Sequence, residues 1–495
     1  LIVIDPRQEG LGKIADWWIP ITPGSDGALA LAILKMIISS GRYDHEFVEK
    51  YTRGFEEFKT YLDTQTMEQL SKWCGISVTD IEKLTDIFCS TAKIPLVAYT
   101  GLEYQLSAIQ NNRAIFVLWA ITGKLDAPGA IYLNAKGLET PKLFEIPEDD
   151  KPIGVDEFPL FYKFSGQGQF SRFPKAVLED EPYPVRGLMI LGGSPVLSFP
   201  DSKSWREAYK KLDCLIVLDR YFTEDARYAD VVFPACSLFE VPKAVPGPEG
   251  PHIVEPLIEP VGESKNDVLI MGAIAKKLGF GDKLPQTEEE LRSWLLSGTA
   301  PYAGDFGTSA DQKKEKHYKK YETGELRADG KPGFPTSSGK LEICSTILEE
   351  NGFVPYPEYK DVRSIPELAG KEYPFTMTSG ARSNNRMGVF GANLDKIAEI
   401  EPYPFVDINA EDAKEIGIED GDMVKVITPF ADGTFKAKIR GIARHAIHIP
   451  HGGGSAYMAE PWKNGNVNDL CSLDYADPMT GFVLIKSVPC RVEKV

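Results

Sequence analysis

Continuous apolar runs, each followed by a polar or glycine-rich turn and a helical pattern, recur along the first two thirds of the chain. The runs LIVI (residues 1–4), LMIL (188–191) and CLIVL (214–218) have the composition of parallel strands that are buried on both faces. Apolar or amphipathic helical patterns follow at residues 28–39 and 202–211. This order of strand, turn and helix predicts the α/β class with parallel sheets.

The same periodicities predict further elements. Short strands are expected at residues 17–21 and 95–99, and helices at residues 44–51, 55–62, 67–74, 78–92, 111–122, 267–278 and 287–296. Beyond about residue 373 the pattern alternates, as in MVKVIT and TFKAKIRG, with a hairpin signal at Ala431, Asp432 and Gly433. This last part is predicted to be a small β-barrel or β-sandwich of about one hundred residues.

Residues 188–240 carry the strongest local signal for a ligand. Gly192, Gly193 and Ser194 directly follow one predicted strand, where glycines let backbone N–H groups approach an anion. Asp219 ends the next strand, where its carboxylate can accept hydrogen bonds from a sugar hydroxyl or a purine N–H. A tight turn with a helix cap explains the glycines equally well. Asp219, together with Thr223 and Asp230, which are expected in the same layer, favours a nucleotide site.

Other candidate residues have a simpler local explanation. Asp26 lies in the turn TPGSDG before a helix, and its pattern favours a helix cap over a ligand contact. Lys136 is a lone charge in a long Pro/Gly-rich segment, which favours a solvated lysine. His445, His448 and His451 follow a three-residue spacing that does not place them on one strand face, which favours structural or ligand-lining roles over a metal site.

Charge and cysteine content exclude some classes of protein. The 495-residue chain has a net charge of −17, which argues against a nucleic-acid partner. Its seven cysteines include no CxxC pair, so neither a zinc nor an iron–sulfur site is expected within this chain. The apolar runs are too short to span a bilayer. Because LIVID already reads as a buried strand, the sequence is expected to begin inside a domain, with an N-terminal part missing, cleaved or on another chain.

Seven segments together resemble one family. They are VIDPR, PITPGSDGALALA, GGSP, VLDRYFTEDARYADVVFPA, SSGKLEICS, VDINAEDAKEIGIEDGDMVKV and NVNDL. In this order they resemble the molybdopterin bis-guanine-dinucleotide oxidoreductases, the superfamily of dimethyl sulfoxide reductase and formate dehydrogenase. The resemblance covers essentially the whole chain.

The resemblance implies a fold and cofactors. It implies two Rossmann-like, doubly wound α/β domains and a C-terminal double-psi β-barrel, with domains at residues 1–92, 93–365 and 366–495. It implies molybdenum or tungsten held by two molybdopterin guanine dinucleotides. A 4Fe–4S cluster and the protein ligand of the metal are expected before Leu1, so no metal ligand is assigned within this chain.

The resemblance also assigns cofactor-binding residues. Around one dinucleotide it places Asp5, Pro6, Arg7, Pro23, Gly24, Asp26 and Gly101, and around the other Gly192, Gly193, Ser194, Asp219, Arg220, Thr223 and Asp230. Ser379, Gly380 and Arg382 match a turn near a pyrophosphate, where an Arg fork suits phosphate oxygens. Asn468 matches a pterin contact, and Lys486 is assigned to cofactor binding as well.

Departures from the family pattern bear on the substrate. Lys136, the candidate catalytic residue, stands where formate dehydrogenases have an arginine, which argues against formate oxidation. Ser194-Pro195 replaces an Asn-Pro pair, and GPEGPH (residues 247–252) replaces an Asn-x-Glu-Gly-Arg run. These differences favour the thiosulfate, polysulfide and acetylene hydratase side of the family.

The expected activity is two-electron redox chemistry on a small substrate. The implied partners are an iron–sulfur electron-transfer subunit and a membrane-anchor subunit, in a prokaryotic cytoplasm or periplasm. Two alternatives stay open: a hydratase or transhydroxylase that uses the same cofactor without net redox chemistry, and a metal-free structural subunit. The paired aspartates argue against the latter, because an empty site has no use for carboxylates that read guanine.

Overall fold

Short parallel strands and helices fill the first two thirds of the chain, and a closed barrel follows. The computed structural model describes residues 1–133, 151–245, 251–297, 317–380, 395–458 and 460–495. The strands are β1 (Ile2–Ile4), β2 (Trp17–Ile19), β3 (Thr52–Arg53), β4 (Gly187–Leu191), β5 (Cys214–Asp219), β6 (Val231–Pro234), β7 (Lys243–Val245), β8 (His252–Val254), β9 (Leu341–Glu342), β10 (Phe375–Ser379), β11 (Phe405–Ile408), β12 (Met423–Ile427), β13 (Asp432–Ile439), β14 (Ala446–Ile449) and β15 (Val488–Lys494).

The helices are α1 (Asp26–Ser39), α2 (His45–Tyr51), α3 (Phe55–Thr64), α4 (Met67–Cys74), α5 (Val78–Ser90), α6 (Ala108–Ile121), α7 (Pro159–Ser165), α8 (Phe173–Glu179), α9 (Pro195–Ser198), α10 (Ser202–Lys211), α11 (Asp267–Lys277), α12 (Glu288–Leu296), α13 (Lys320–Thr323), α14 (Thr346–Glu350), α15 (Asp395–Ile400) and α16 (Ala410–Glu415). Within the described ranges, no helix combines the length and apolar character needed to cross a bilayer.

The first unit is built around helix α1. β1 and β2 pair in parallel, and α1, which is apolar on all sides, packs against α3, α4, α5 and α6. Ile343, next to β9, also joins this core. The first core therefore includes α6 and residue 343, which lie beyond the domain boundary expected at residue 92. The reason is that a helix that is apolar all round must be covered on every side.

One predicted strand of this region is wrong. Residues 94–99, which the structure describes, form no strand, and Val97 and Tyr99 are 89% and 83% exposed. An apolar run becomes a buried strand only when neighbouring strands satisfy its backbone groups. Pro95 also lacks the N–H that a ladder requires.

The second unit contains a three-stranded parallel sheet in the order β4-β5-β6. Helix α10 crosses from β4 to β5 and buries Trp205, Ala208 and Tyr209 in the core beneath the sheet. The side chain of Asp201 caps α10 by accepting from the backbone N–H of Ser204 at 3.2 Å. The predicted strand, helix and strand at residues 188–218 are confirmed.

The C-terminal unit is a closed six-stranded barrel in the order β10-β14-β11-β13-β12-β15. The β10–β14 and β11–β13 pairs are parallel, and the other pairs are antiparallel. The predicted hairpin exists, but its turn is at residues 428–431, because the hydroxyl oxygen of Thr428 accepts from the N–H groups of Phe430 and Ala431. The expected α/β class with a C-terminal barrel is confirmed.

Candidate functional site

Two aspartates from different elements lie close enough in the first unit to influence each other electrostatically. Asp5 directly follows β1, and its Oδ1 accepts from the N–H of Arg7 at 2.7 Å. Asp26 is the first residue of α1 and follows the N-cap Ser25, so the expectation that Asp26 is the cap is wrong. The pKa of Asp26 is raised to about 6, mainly by burial and in smaller part by the charge of Asp5, while the hydrogen bond from Gln105 acts to lower it. Burial also raises the pKa of Asp5.

Two amides that the sequence analysis missed support Asp26. The Nε2 group of Gln105 donates to the carbonyl of Gly101 at 2.7 Å and to Asp26 Oδ2 at 3.4 Å. Asn111 Nδ2 donates to Gln105 Oε1 at 2.6 Å, while Asn111 Oδ1 is buried and, among the described residues, has no hydrogen-bond partner. The available signal was Asn111, an amide within the otherwise apolar pattern of α6, with Gln105 shortly before that helix.

The barrel contributes a lysine to this first site. Lys486 Nζ donates to the carbonyl of Ser379 at 2.5 Å and lies against Gly380. Burial lowers the pKa of Lys486, and the charge of Asp5 acts in the opposite direction. Gly24 has φ +86°, and an added Cβ there would lie 2.7 Å from Ser487 Oγ. The structure thus brings Gly24, Asp5 and the Ser379–Lys486 contact close to one another.

Pro6 and Arg7 join this site to the barrel. The carbonyl of Pro6 accepts from the N–H of Ala443 at 2.7 Å, and Arg7 Nη2 lies 3.1 Å from Asp407 Oδ2. Pro23 is buried in the turn before α1. Lys136 and Arg382 lie outside the described residues.

The second site forms at the carboxyl ends of β4 and β5. The N–H of Gly192, a residue with φ +58°, donates to the carbonyl of Leu218 at 2.9 Å, and Gly193 follows it in the turn. Asp219 Oδ1 accepts from the N–H of Tyr221 at 3.0 Å, which fixes the turn that contains Arg220. Ligands bind at this edge of parallel sheets.

Ser194 and Thr223 have structural partners. Ser194 Oγ donates to Asp225, a fully buried carboxylate that also accepts from the N–H of Val196 at 3.2 Å and the hydroxyl of Tyr209 at 2.8 Å. Thr223 Oγ1 accepts from the N–H of Ala226 at 3.2 Å. Both residues therefore shape the loop around the site. The sequence analysis missed Asp225, which organises this loop.

Asp230 does not share the layer of Asp219, so this prediction is wrong. Its Oδ2 accepts from the N–H of Leu215 at 2.7 Å, at the beginning of β5. Leu215 and Asp219 are four strand residues apart, which is about 13 Å. Asp230 precedes a strand parallel to β5, and so it lies at the amino edge of the sheet.

Asp267 is the second aspartate of this site and lies near Asp219. It opens α11, and burial raises its pKa, with a further increase from the charge of Asp219. Its Oδ1 is buried and, in the part of the chain that the structure describes, has no hydrogen-bond partner. The predicted helix at residues 267–278 begins at this residue, but no local spacing connects it with Asp219, which lies 48 positions earlier.

Contacts with the barrel also frame the second site. Asn468, a predicted site residue, is 2% exposed, and its Nδ2 donates to the carbonyl of Leu197 at 2.7 Å and lies 3.4 Å from His451 Nδ1. Glu224 Oε2 accepts from the N–H of Ala456 at 3.0 Å. These bonds attach the loop after β4 and the loop after β5 to the barrel.

The two sites repeat one arrangement. Each combines an aspartate at the end of a parallel strand (Asp5 or Asp219) with an aspartate in the first turn of a long helix (Asp26 or Asp267). Neighbouring carboxylates that are partly shielded from water repel each other unless a ligand supplies hydrogen-bond donors. Guanine offers a ring N–H and an amino group along one edge, so the residues present fit a guanine dinucleotide.

This fold and these sites define a class: a dinucleotide-binding α/β protein whose two units are joined to a C-terminal barrel. The family model described as "Molybdopterin oxidoreductase" matches residues 1–277, and the "Molydopterin dinucleotide binding domain" matches residues 376–489. The chain therefore belongs to the molybdopterin oxidoreductase family.

Relatives agree with this membership. The chain is 29% identical to "Probable oxidoreductase YoaE" of Bacillus subtilis over 86% of its own length and 61% of the relative. It is 28% identical to the F420-dependent formate dehydrogenase subunit alpha of Methanocaldococcus jannaschii, covering 91% and 67%. It is 26% identical to the acetylene hydratase of Syntrophotalea acetylenica, covering 91% and 66%. The chain thus spans about two thirds of these relatives, with individual shares of 61%, 67% and 66%.

A solved structure has the same fold. Acetylene hydratase from Pelobacter acetylenicus superposes with a TM-score of 0.82 at 23% identity, covering 100% of this chain and 74% of that one. This similarity concerns the fold. Within the described ranges, no group of three or more His, Cys, Asp or Glu side chains is placed to hold a metal ion.

Proposed function

We propose that this chain is the dinucleotide-binding part of the catalytic subunit of a molybdenum or tungsten enzyme. One observation carries the proposal: a strand-end aspartate meets a helix-start aspartate in each of two units. Membership of the family supports two guanine dinucleotides as the ligands. Because the relatives are longer than this chain, the activity of the whole protein is part of the proposal.

The residues of the two sites have distinct roles. Asp26 and Asp267 accept hydrogen bonds from the donor edge of a guanine, and Asp5 and Asp219 complete each pair. Lys486 supplies positive charge for phosphate oxygens, and the amino-terminal end of α1, a 14-residue helix, favours the same negative charge. The bound metal supplies two-electron redox chemistry. The chain binds and orients the cofactor.

The substrate and partners extend the proposal. We infer a small substrate of the thiosulfate or polysulfide type, with electrons passing between the metal and an iron–sulfur subunit and membrane anchor through a 4Fe–4S cluster. Lys136 in place of an arginine supports this choice over formate, and the departures at Ser194-Pro195 and residues 247–252 favour the thiosulfate, polysulfide and acetylene hydratase side of the family.

A hydratase or transhydroxylase on the same cofactor is the second candidate. The relative named acetylene hydratase, at 26% identity, favours it. A viologen-linked assay on the purified full-length protein separates the two functions, since only a redox enzyme couples substrate conversion to viologen oxidation or reduction. A metal-free structural subunit, the third candidate, would lack molybdenum and tungsten in elemental analysis.

The cofactor assignment is tested by elemental analysis together with the GMP released by acid hydrolysis. We expect molybdenum or tungsten with about two GMP per metal, one for each site at a strand end. Asp26→Asn and Asp267→Asn should each lower the GMP content towards about one per chain, because each replaces one of the two acceptor oxygens by an NH2 donor that opposes the guanine N–H groups. Asp282→Asn is the matched control, since the side chain of Asp282 is 73% exposed and forms an ion pair with the similarly exposed Lys283. Full GMP content in both site variants, or none in the wild type, would refute the assignment.

A further inference from the structure

Three polar side chains form a row across the outer face of the barrel. Register places Thr378 of β10 beside His448 of β14, and His448 beside Asp407 of β11. Their neighbours Ile447 and Ile449 point into the barrel core, so strand alternation turns the row outward. Even so, His448 and Asp407 are each only 1% exposed, because the first unit covers this face.

Asp407 fixes the orientation and tautomer of His448. The Oδ2 atom of Asp407 lies 3.0 Å from His448 Nδ1, and Arg7 and Arg440 lie 3.1 and 3.2 Å from the same carboxylate. Burial acts to raise the pKa of Asp407, but the hydrogen bond with His448 and the charges of His448 and the two arginines outweigh it and leave the pKa lowered. An ionised carboxylate only accepts, so Nδ1 bears the proton and Nε2 presents a lone pair.

The Nε2 atom of His448 is buried and, among the described residues, has no hydrogen-bond partner. The pKa of His448 is lowered to about 4. Burial is the main cause, the charges of Arg7 and Lys486 contribute in the same direction, and Asp407 opposes them. The imidazole is therefore neutral near neutral pH. A buried acceptor without a donor costs about 1–3 kcal/mol, so such atoms usually have a partner.

His448 lies beside the first site. Arg7 and Lys486, the two cations that act on His448, are also the two that act on Asp5. Lys486 Nζ donates to the carbonyl of Ser379 at the end of β10, and β10 pairs with β14, the strand that contains His448. Arg7 and Lys486 can only donate, which suits phosphate oxygens. His448 Nε2 is an acceptor beside them.

We propose that His448 contacts the ligand of the first site, with Nε2 accepting a hydrogen bond from an N–H or O–H group next to the ligand's phosphates. Asp407 is the positioning residue that holds this tautomer. The inference rests on the proposed function and extends it, because it names a donor group that the ligand must present in this corner. Ribose hydroxyls and pterin N–H groups both belong to this class.

The test uses the full-length, cofactor-loaded protein. Loss of dinucleotide is followed as GMP released over time, and His448→Phe should lose it about tenfold faster than the wild type, the effect of one hydrogen bond. His448→Gln, which keeps an acceptor, should restore most of the retention. His445→Phe is the matched control, because His445 lies three residues away with a 62% exposed side chain.

Nitrogen-15 spectra of the imidazoles provide a readout that a merely structural histidine would not change. The chain has only six histidines, so single substitutions assign the signals. We expect the Nε2 resonance of His448 to shift when the cofactor is removed, and Asp407→Asn to change the tautomer. If the Nε2 resonance is the same with and without cofactor, the donor to His448 is an internal water and the inference is overturned. Unchanged dinucleotide retention in His448→Phe would also overturn it. A wild type without GMP would overturn the proposed function and this inference with it, whereas full GMP with unaffected variants would overturn only the role of His448.

Discussion

Asp26→Asn should stabilise the cofactor-free protein while it weakens nucleotide binding. The pKa of Asp26 is raised from 3.8 to about 6, mainly by burial. The folded state therefore binds more protons than the unfolded state between these values, and the free energy of unfolding falls as pH rises through this window. A shift of about 2 pKa units is worth about 3 kcal/mol, and the partial exposure of Asp26 reduces this to about 2 kcal/mol.

The increase in the free energy of unfolding of Asp26→Asn should appear only at pH values where the carboxyl group of Asp26 is ionised in the wild type. Denaturant unfolding, followed by the tryptophans of the first unit, should show Asp26→Asn more stable than the wild type by about 2 kcal/mol near pH 8 and equal to it near pH 4. Asp282→Asn, at an exposed position, should show no such difference. A gain of the same size at both pH values, or a loss near pH 8, would refute the reasoning.

Three further changes test the packing that supports the sites. Asp225→Ala should destabilise the protein by about 3 kcal/mol in thermal unfolding, because it leaves the partners of a fully buried carboxylate unsatisfied; an unchanged midpoint would contradict this network. Lys320→Met should cost about 3–5 kcal/mol, because it strands the buried charge of Asp126, which lies 2.5 Å from Lys320 Nζ; the double variant Lys320→Met with Asp126→Asn should recover part of the loss. Gly54→Ala should also destabilise, since φ is +83° and the new Cβ would lie 2.2 Å from Cys344 Cβ; soluble protein with wild-type stability would show that this contact relaxes freely.

The paired aspartates suggest how cofactor insertion and folding are coupled. Without a ligand, the pairs of Asp5 with Asp26 and of Asp219 with Asp267 bring negative charges together at partly shielded positions, which destabilises the loops at both strand edges. A guanine edge relieves both the repulsion and the unsatisfied Oδ1 of Asp267. Cofactor binding should therefore stabilise the folded protein through these residues.

The sequence by itself determined the features that depend on local pattern. The apolar runs at β4 and β5 and the amphipathic α10 between them predicted a parallel unit, and Asp219 was found because strand ends are where such sheets bind ligands. The pattern failed at residues 95–99, where an apolar run has no neighbouring strand. Periodicity reports which residues avoid water, but it does not report which segments are available as partners.

Only the tertiary structure decided which residues complete each site. Asp267 lies 48 positions after Asp219, and His448 lies 41 positions after Asp407, so no local spacing could pair them. Asp230 is near Asp219 in sequence but lies at the opposite edge of the sheet. It accepts from Leu215 at the beginning of β5, whereas Asp219 is at the end of that strand. The local pattern at Asp26 predicts a helix cap, whereas the structure places Gln105 and the charge of Asp5 near its carboxylate. Burial and charge, which set the chemistry of these groups, arise only when distant segments pack against one another.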